Sequence, residues 1–86
     1  MRTPTWAQVE RFCRIDGWHE VRRSDHVFFE EVLADGTVLR THRSSSSRKT
    51  MSAGRFKAIL RHQLGVTEDE FWNALATRRP VDRQRS

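Results

Sequence analysis

A chain of 86 residues builds one small two-layer domain with too little interior for a large enclosed pocket, so its chemistry belongs on an open face. Sixteen Lys plus Arg against eleven Asp plus Glu leave a net charge of +5, which favours anionic partners, nucleic acid foremost. A single cysteine, Cys13, excludes an intrachain disulfide and a multi-cysteine zinc site, and no stretch reaches the roughly 18 apolar residues of a membrane helix. The expectation is a soluble, cytoplasmic protein with no membrane partner.

Thr5-Trp6-Ala7-Gln8 has the form of a capping box, and Trp6, Val9, Phe12 and Cys13 follow as a helical stripe, predicting a helix over about residues 6 to 15 that Gly17 ends. Residues 18–23, 26–33 and 37–41 are rich in aromatic and β-branched side chains and predict a three-stranded antiparallel meander, with Asp35-Gly36 in its second connection. Alternation places Val27, Phe29 and Leu33 on one face and His26, Phe28, Glu30 and Val32 on the other. The Phe29 face is the expected core, which turns His26 outward.

Residues 43–50 carry four consecutive serines and no periodicity, and read as a mobile surface loop. Ser52 caps a second helix whose Phe56, Ile59, Leu60 and Leu64 form one stripe and whose end is marked by Gly65. Thr67-Glu68-Asp69-Glu70 is a further capping box, opening a short third helix with Phe71, Trp72 and Leu75 on its apolar side. Residues 78–86 are almost wholly polar and predict a basic, disordered tail. The order helix, three strands, helix and short helix predicts an α+β two-layer sandwich with helices on one face of the sheet, in a single domain over residues 1–77 to which 66–77 add the short helix.

His26 draws attention because a basic approach, Arg22-Arg23-Ser24-Asp25, turns there into an apolar strand. An imidazole, with an ordinary pKa of about 6.5, moves protons near neutral pH beside a polyanion. Arg22, Arg23, Arg40, Arg43, Arg48 and Lys49 cluster in sequence around the strand ends and the serine loop as candidate phosphate contacts. Lys57, with Arg55 and Arg61, extends them along helix 2, and His42 is a second candidate donor at the end of strand 3. The plain alternative is a scattered, solvated charged surface. Phe28, an aromatic on the open face, suits a protein partner better than a phosphate groove. His26 with Glu30 supplies only two ligands, so no metal is expected. Cys13 and the three tryptophans read as packing residues.

Four features, taken in order, resemble the HicA toxins of bacterial toxin–antitoxin systems. They are Gly17-Trp18 after helix 1, Arg22 late in strand 1, His26-Val27-Phe28-Phe29, and Gly54-Arg55-Phe56-Lys57-Ala58-Ile59-Leu60 in helix 2. Together they span most of residues 5 to 64; Ser24 and Asp25 stand where the family's motif has Gly-Ser. The resemblance implies a double-stranded-RNA-binding-like fold, an endoribonuclease activity on mRNA without cofactor, His26 as the catalytic residue, and neutralisation by a HicB-type antitoxin. Two readings from other classes stand beside it: a non-catalytic RNA-binding module that blocks translation by occupancy, and a small scaffold whose basic face meets an acidic protein.

Overall fold

Local signals set the helix starts. In the computed structural model, which describes residues 2–23, 26–42 and 48–83 (of Arg23 and His26 the backbone only), helix α1 covers Trp6–Ile15. The Thr5 hydroxyl accepts from the Gln8 amide at 3.2 Å, while the Thr5 amide donates to Gln8 Oε1 at 2.9 Å. Such reciprocal capping satisfies two amides the helix cannot, an N-cap alone being worth about 1 kcal/mol. At the other end Gly17 adopts a φ of +79°, Trp18 N–H donates to Cys13 O at 2.9 Å and Gly17 N–H to Arg14 O, a Schellman close.

Strands β1 (His19–Arg23), β2 (His26–Val32) and β3 (Val38–His42) form one antiparallel sheet in that order. The register pairs Glu20 with Phe29 and Phe29 with Thr41 on one row, and Val21 with Phe28 and Phe28 with His42 on the next. Phe29 and Thr41 are buried, and Val27 and Leu39 pack against the core from the same side. The opposite face carries Val21, Phe28, Glu30 and Arg40, with no helix packed on it among the described residues and with Val32 and Val38 exposed near its far end. The alternation read from sequence therefore holds, with one addition: Glu31, on the core-side row, is buried too.

Helix α2 (Ala53–Ile59) starts at Ser52, whose hydroxyl accepts from the Arg55 amide, and runs on into a π-helical turn over Leu60–Leu64. Gly65, at φ +66°, closes it in a conformation that favours glycine, and a β-carbon there would lie a tight 3.3 Å from Leu39 Cδ1 on β3. Helix α3 (Glu68–Thr77) opens with the Thr67/Glu70 capping box and three acidic residues facing the positive end of the helix dipole. It packs into the core: Phe71 stacks on Phe12 at 5.0 Å and meets Phe56 edge-on at 5.1 Å. All three helices lie on the Phe29 side of the sheet, giving a small α+β domain. None of the helices among the described residues is long and apolar enough to cross a membrane.

The tail departs from the disorder that its polar composition predicts, at least through residue 83. Val81 is buried, and its amide donates to Asp16 Oδ1 at 2.7 Å. Arg83 reaches Asp16 Oδ2 at 2.6 Å and the Leu64 carbonyl at 2.8 Å, while Trp18 Nε1 donates to Asp16 Oδ2 at 2.9 Å. Asp16 is only 1 % exposed. A carboxylate so deep is tolerable only when its desolvation is offset by charge pairing and hydrogen bonds, and the tail supplies the Val81 amide and the Arg83 guanidinium for this.

Candidate nucleic-acid interface

The predicted site residues separate into groups. His26 is the first residue of β2 and its backbone pairs with Arg23; the side chains of both, and Arg43 entirely, lie outside the described residues. Phe28 is part-buried on the open face, where it lines a shallow hollow of about 110 Å³ with Val21, Glu30 and Arg40. Arg40 is engaged there, its Nε donating to Glu30 Oε2 across the strand pair at 2.6 Å. Arg22 falls on the other row, opposite Val27, with its Nε 3.5 Å from Glu20. The structure thus parts Arg22 from the open-face row to which Phe28 and Arg40 belong.

His42, Arg48, Lys49 and Lys57 are exposed, and among the described residues none of them makes an ion pair. His42 ends β3 with its ring 6.0 Å from that of Trp6. Thr50 bridges to Thr5, and the Trp6 amide donates to Lys49 O at 3.4 Å, so the segment carrying Arg48 and Lys49 returns beside the start of α1. Arg55, on the first turn of α2, holds its guanidinium carbon 5.4 Å from the Trp6 ring centre. One end of the molecule therefore gathers Trp6, His42, Lys49 and Arg55.

Position 26 belongs to the same end. The pair Phe28–His42 is the last described pair of the β2–β3 ladder, and His26 lies two residues beyond Phe28, about 7 Å further along the strand at an ordinary rise per residue. Register, which is backbone geometry, thus brings the start of β2 and the end of β3 to the edge where the unpaired cations collect.

No motif marks Trp6 as a base contact, and its place on a helical stripe reads as packing, yet a plain signal for the basic surface around it lies in the sequence. From Gly36 to Thr67 the chain holds seven of its sixteen Lys plus Arg and none of its eleven Asp plus Glu, so this stretch carries +7 and the remainder −2. Such a run cannot neutralise itself locally; among the described residues only Arg40 within it finds a carboxylate, that of Glu30 on the neighbouring strand. Arg55, Lys57 and Arg61 stay exposed on the second helix and its π turn.

The remaining titratable group of chemical interest is inert. Cys13 is fully buried, and burial first, then the negative charges of Asp16 and Glu10, push its thiol far above the ordinary value, which keeps it protonated and unreactive. No family model matches the chain, and no curated protein and no solved structure is detectably similar to it.

Proposed function

We propose that this protein is an RNA-cleaving toxin of the HicA kind: a double-stranded-RNA-binding-like domain that acts on mRNA in the cytoplasm and is silenced by a HicB-type antitoxin. The observation that carries the RNA reading is the gathering of unpaired cations at the sheet end to which position 26 belongs. Cations not engaged by carboxylates release counterions when they meet phosphate, which drives sequence-independent binding. The catalytic role of His26 rests on the resemblance of His26-Val27-Phe28-Phe29 to the family motif. RNA brings its own nucleophile, the 2′-hydroxyl. A histidine beside the phosphodiester takes that proton as the oxygen attacks phosphorus, and an imidazolium returns a proton to the departing 5′-oxygen; such help is worth roughly 10²–10⁴-fold. The basic groups offset the charge that builds on the phosphorane oxygens. The sheet face that carries part-buried Phe28 and Val21, with Val38 at 54 % exposure, offers the antitoxin an apolar anchor.

A second reading, binding without cleavage, is favoured by one specific observation: Arg22 and Arg40, two of the arginines expected near the histidine, are engaged by Glu20 and Glu30. Induction of the wild-type chain and of His26→Ala at matched soluble levels separates the two. Cleavage predicts growth arrest and fragmented RNA with the wild type only. Arrest by both, with intact RNA, selects occupancy, and arrest by neither removes the toxin reading.

A further inference from the structure

We infer that Trp6 is a stacking platform for an unpaired RNA base, with Arg55 and His42 as its flanking phosphate contacts. The inference rests on the RNA reading above and adds to it the form of RNA recognised.

The three tryptophans of this chain have different surroundings. Trp18 is buried with its indole N–H bonded to Asp16, and Trp72 sits edge-on to Phe71 with Arg2 over its ring at 4.0 Å. Trp6 heads the stripe whose next members, Val9, Phe12 and Cys13, are fully enclosed, yet it remains only part-buried, and its indole N–H makes no hydrogen bond among the described residues. A ring needed only as packing would be expected to follow its stripe into the core. Instead its surroundings are cationic or titratable: the Arg55 guanidinium at 5.4 Å, the His42 ring at 6.0 Å and tilted by 35°, and Lys49 next to it in the backbone. The nearest carboxylate along α1, Glu10, is engaged by Arg14 at 2.9 Å.

Both neighbours of the indole are exposed. A guanidinium 5.4 Å from the ring centre lies near the outer limit of a cation–π contact, at about 6 Å, where such a contact at an exposed site is weak. Arg55 can swing onto a phosphate at little cost, leaving an indole face for a base. Aromatic side chains interleaved with cations are the usual means of holding single-stranded RNA, because every base presents a π-face while the backbone presents phosphates at each step. A duplex keeps its base faces stacked inside, so an indole used in this way discriminates single strands from double strands. The Thr5 capping box and the Thr5–Thr50 bridge hold the backbone from which the ring projects.

Tryptophan fluorescence, titrated with an oligouridylate and with a duplex of equal length at low salt, tests this on the wild type, Trp6→Leu and Trp6→Phe. The expected result is quenching of the wild type by the single strand, about tenfold weaker single-strand binding by Trp6→Leu with duplex binding unchanged, and retained affinity without quenching in Trp6→Phe, where Trp18 and Trp72 remain as silent reporters. Equal affinity of all three chains for the single strand, or a parallel loss for both RNAs, overturns the stacking role while leaving RNA binding standing. Failure of the wild type to bind either RNA overturns both. Should Trp6→Leu melt early, the Trp6→Phe quenching result decides alone.

Discussion

Two sets of basic residues in this molecule do opposite things with the same chemistry. Arg14, Arg22, Arg40 and Arg83 each lie against a carboxylate: Glu10 and Glu20, Glu20, Glu30, and Asp16 respectively. Arg48, Lys49, Arg55, Lys57 and Arg61 have none among the described residues, and they come from the acid-free stretch. The first set ties elements together, strand to strand and tail to helix. The second set is left to the solvent, where a polyanion can use it. Net charge alone does not separate these roles; which cations have been neutralised by the fold does.

The comparison is sharpest at Asp16, where pairing is buried and therefore costly to break. Asp16→Ala removes the carboxylate to which the Val81 amide and the Trp18 indole N–H donate and leaves the Arg83 guanidinium, still bonded to the Leu64 carbonyl, without its counter-charge. A loss of about 3 kcal/mol is expected, at the low end of what breaking a buried pair costs because Arg83 keeps some access to water. Urea denaturation measures it, and a loss below about 1 kcal/mol would mean the tail is not a working part of the fold.

A smaller effect is expected at the seam between the two sets. Gly65 lies where the π turn, β3 and Arg83 meet: an added β-carbon would sit 3.3 Å from Leu39 Cδ1 and 3.5 Å from an Arg83 nitrogen, in a left-handed conformation. Gly65→Ala should cost roughly 1–2 kcal/mol, from the conformation alone about 1 kcal/mol or more. Gly65→Asn, which tolerates that conformation better, probes the crowding separately in the same thermal melt.

How far these features could be read from sequence follows from their range. Three helix starts were legible because each cap is a contact within three residues: Thr5 with Gln8, Ser52 with Arg55, Thr67 with Glu70. The sheet was legible because alternation has a period of two, and it fixed Phe29 as core and Phe28 as open-face. The docked tail was not, since Asp16 and Arg83 stand 67 residues apart and nothing local to either announces the other. The Arg40–Glu30 pair became visible only once the register was known. In the candidate site, the position of His26 at a strand start was readable, whereas the convergence of Trp6, His42 and Arg55 joins three separate elements and is a product of packing.

The least disruptive substitutions bear most directly on the two-set distinction. Neutralising an exposed, paired arginine removes surface ion pairs worth between about 0 and 1 kcal/mol each, two in Arg14→Gln and one in Arg40→Gln. Neutralising an unpaired cation, Lys49→Gln or Lys57→Gln, removes no pair and should leave stability within about 0.5 kcal/mol of the wild type. RNA binding should show the reverse order. Removing one cation that grips a phosphate lowers the slope of log affinity against log salt by about 0.7 for a single strand, so the double variant Lys49→Gln/Lys57→Gln is expected to flatten that slope by about 1.4. The Arg14→Gln/Arg40→Gln variant carries the same change in net charge. If the slope responded equally in both double variants, RNA would be sensing overall charge, and the division between engaged and available cations would have no functional meaning. If only the lysine variant flattens it, the phosphates are gripped locally, and the acid-free stretch is where the polyanion sits.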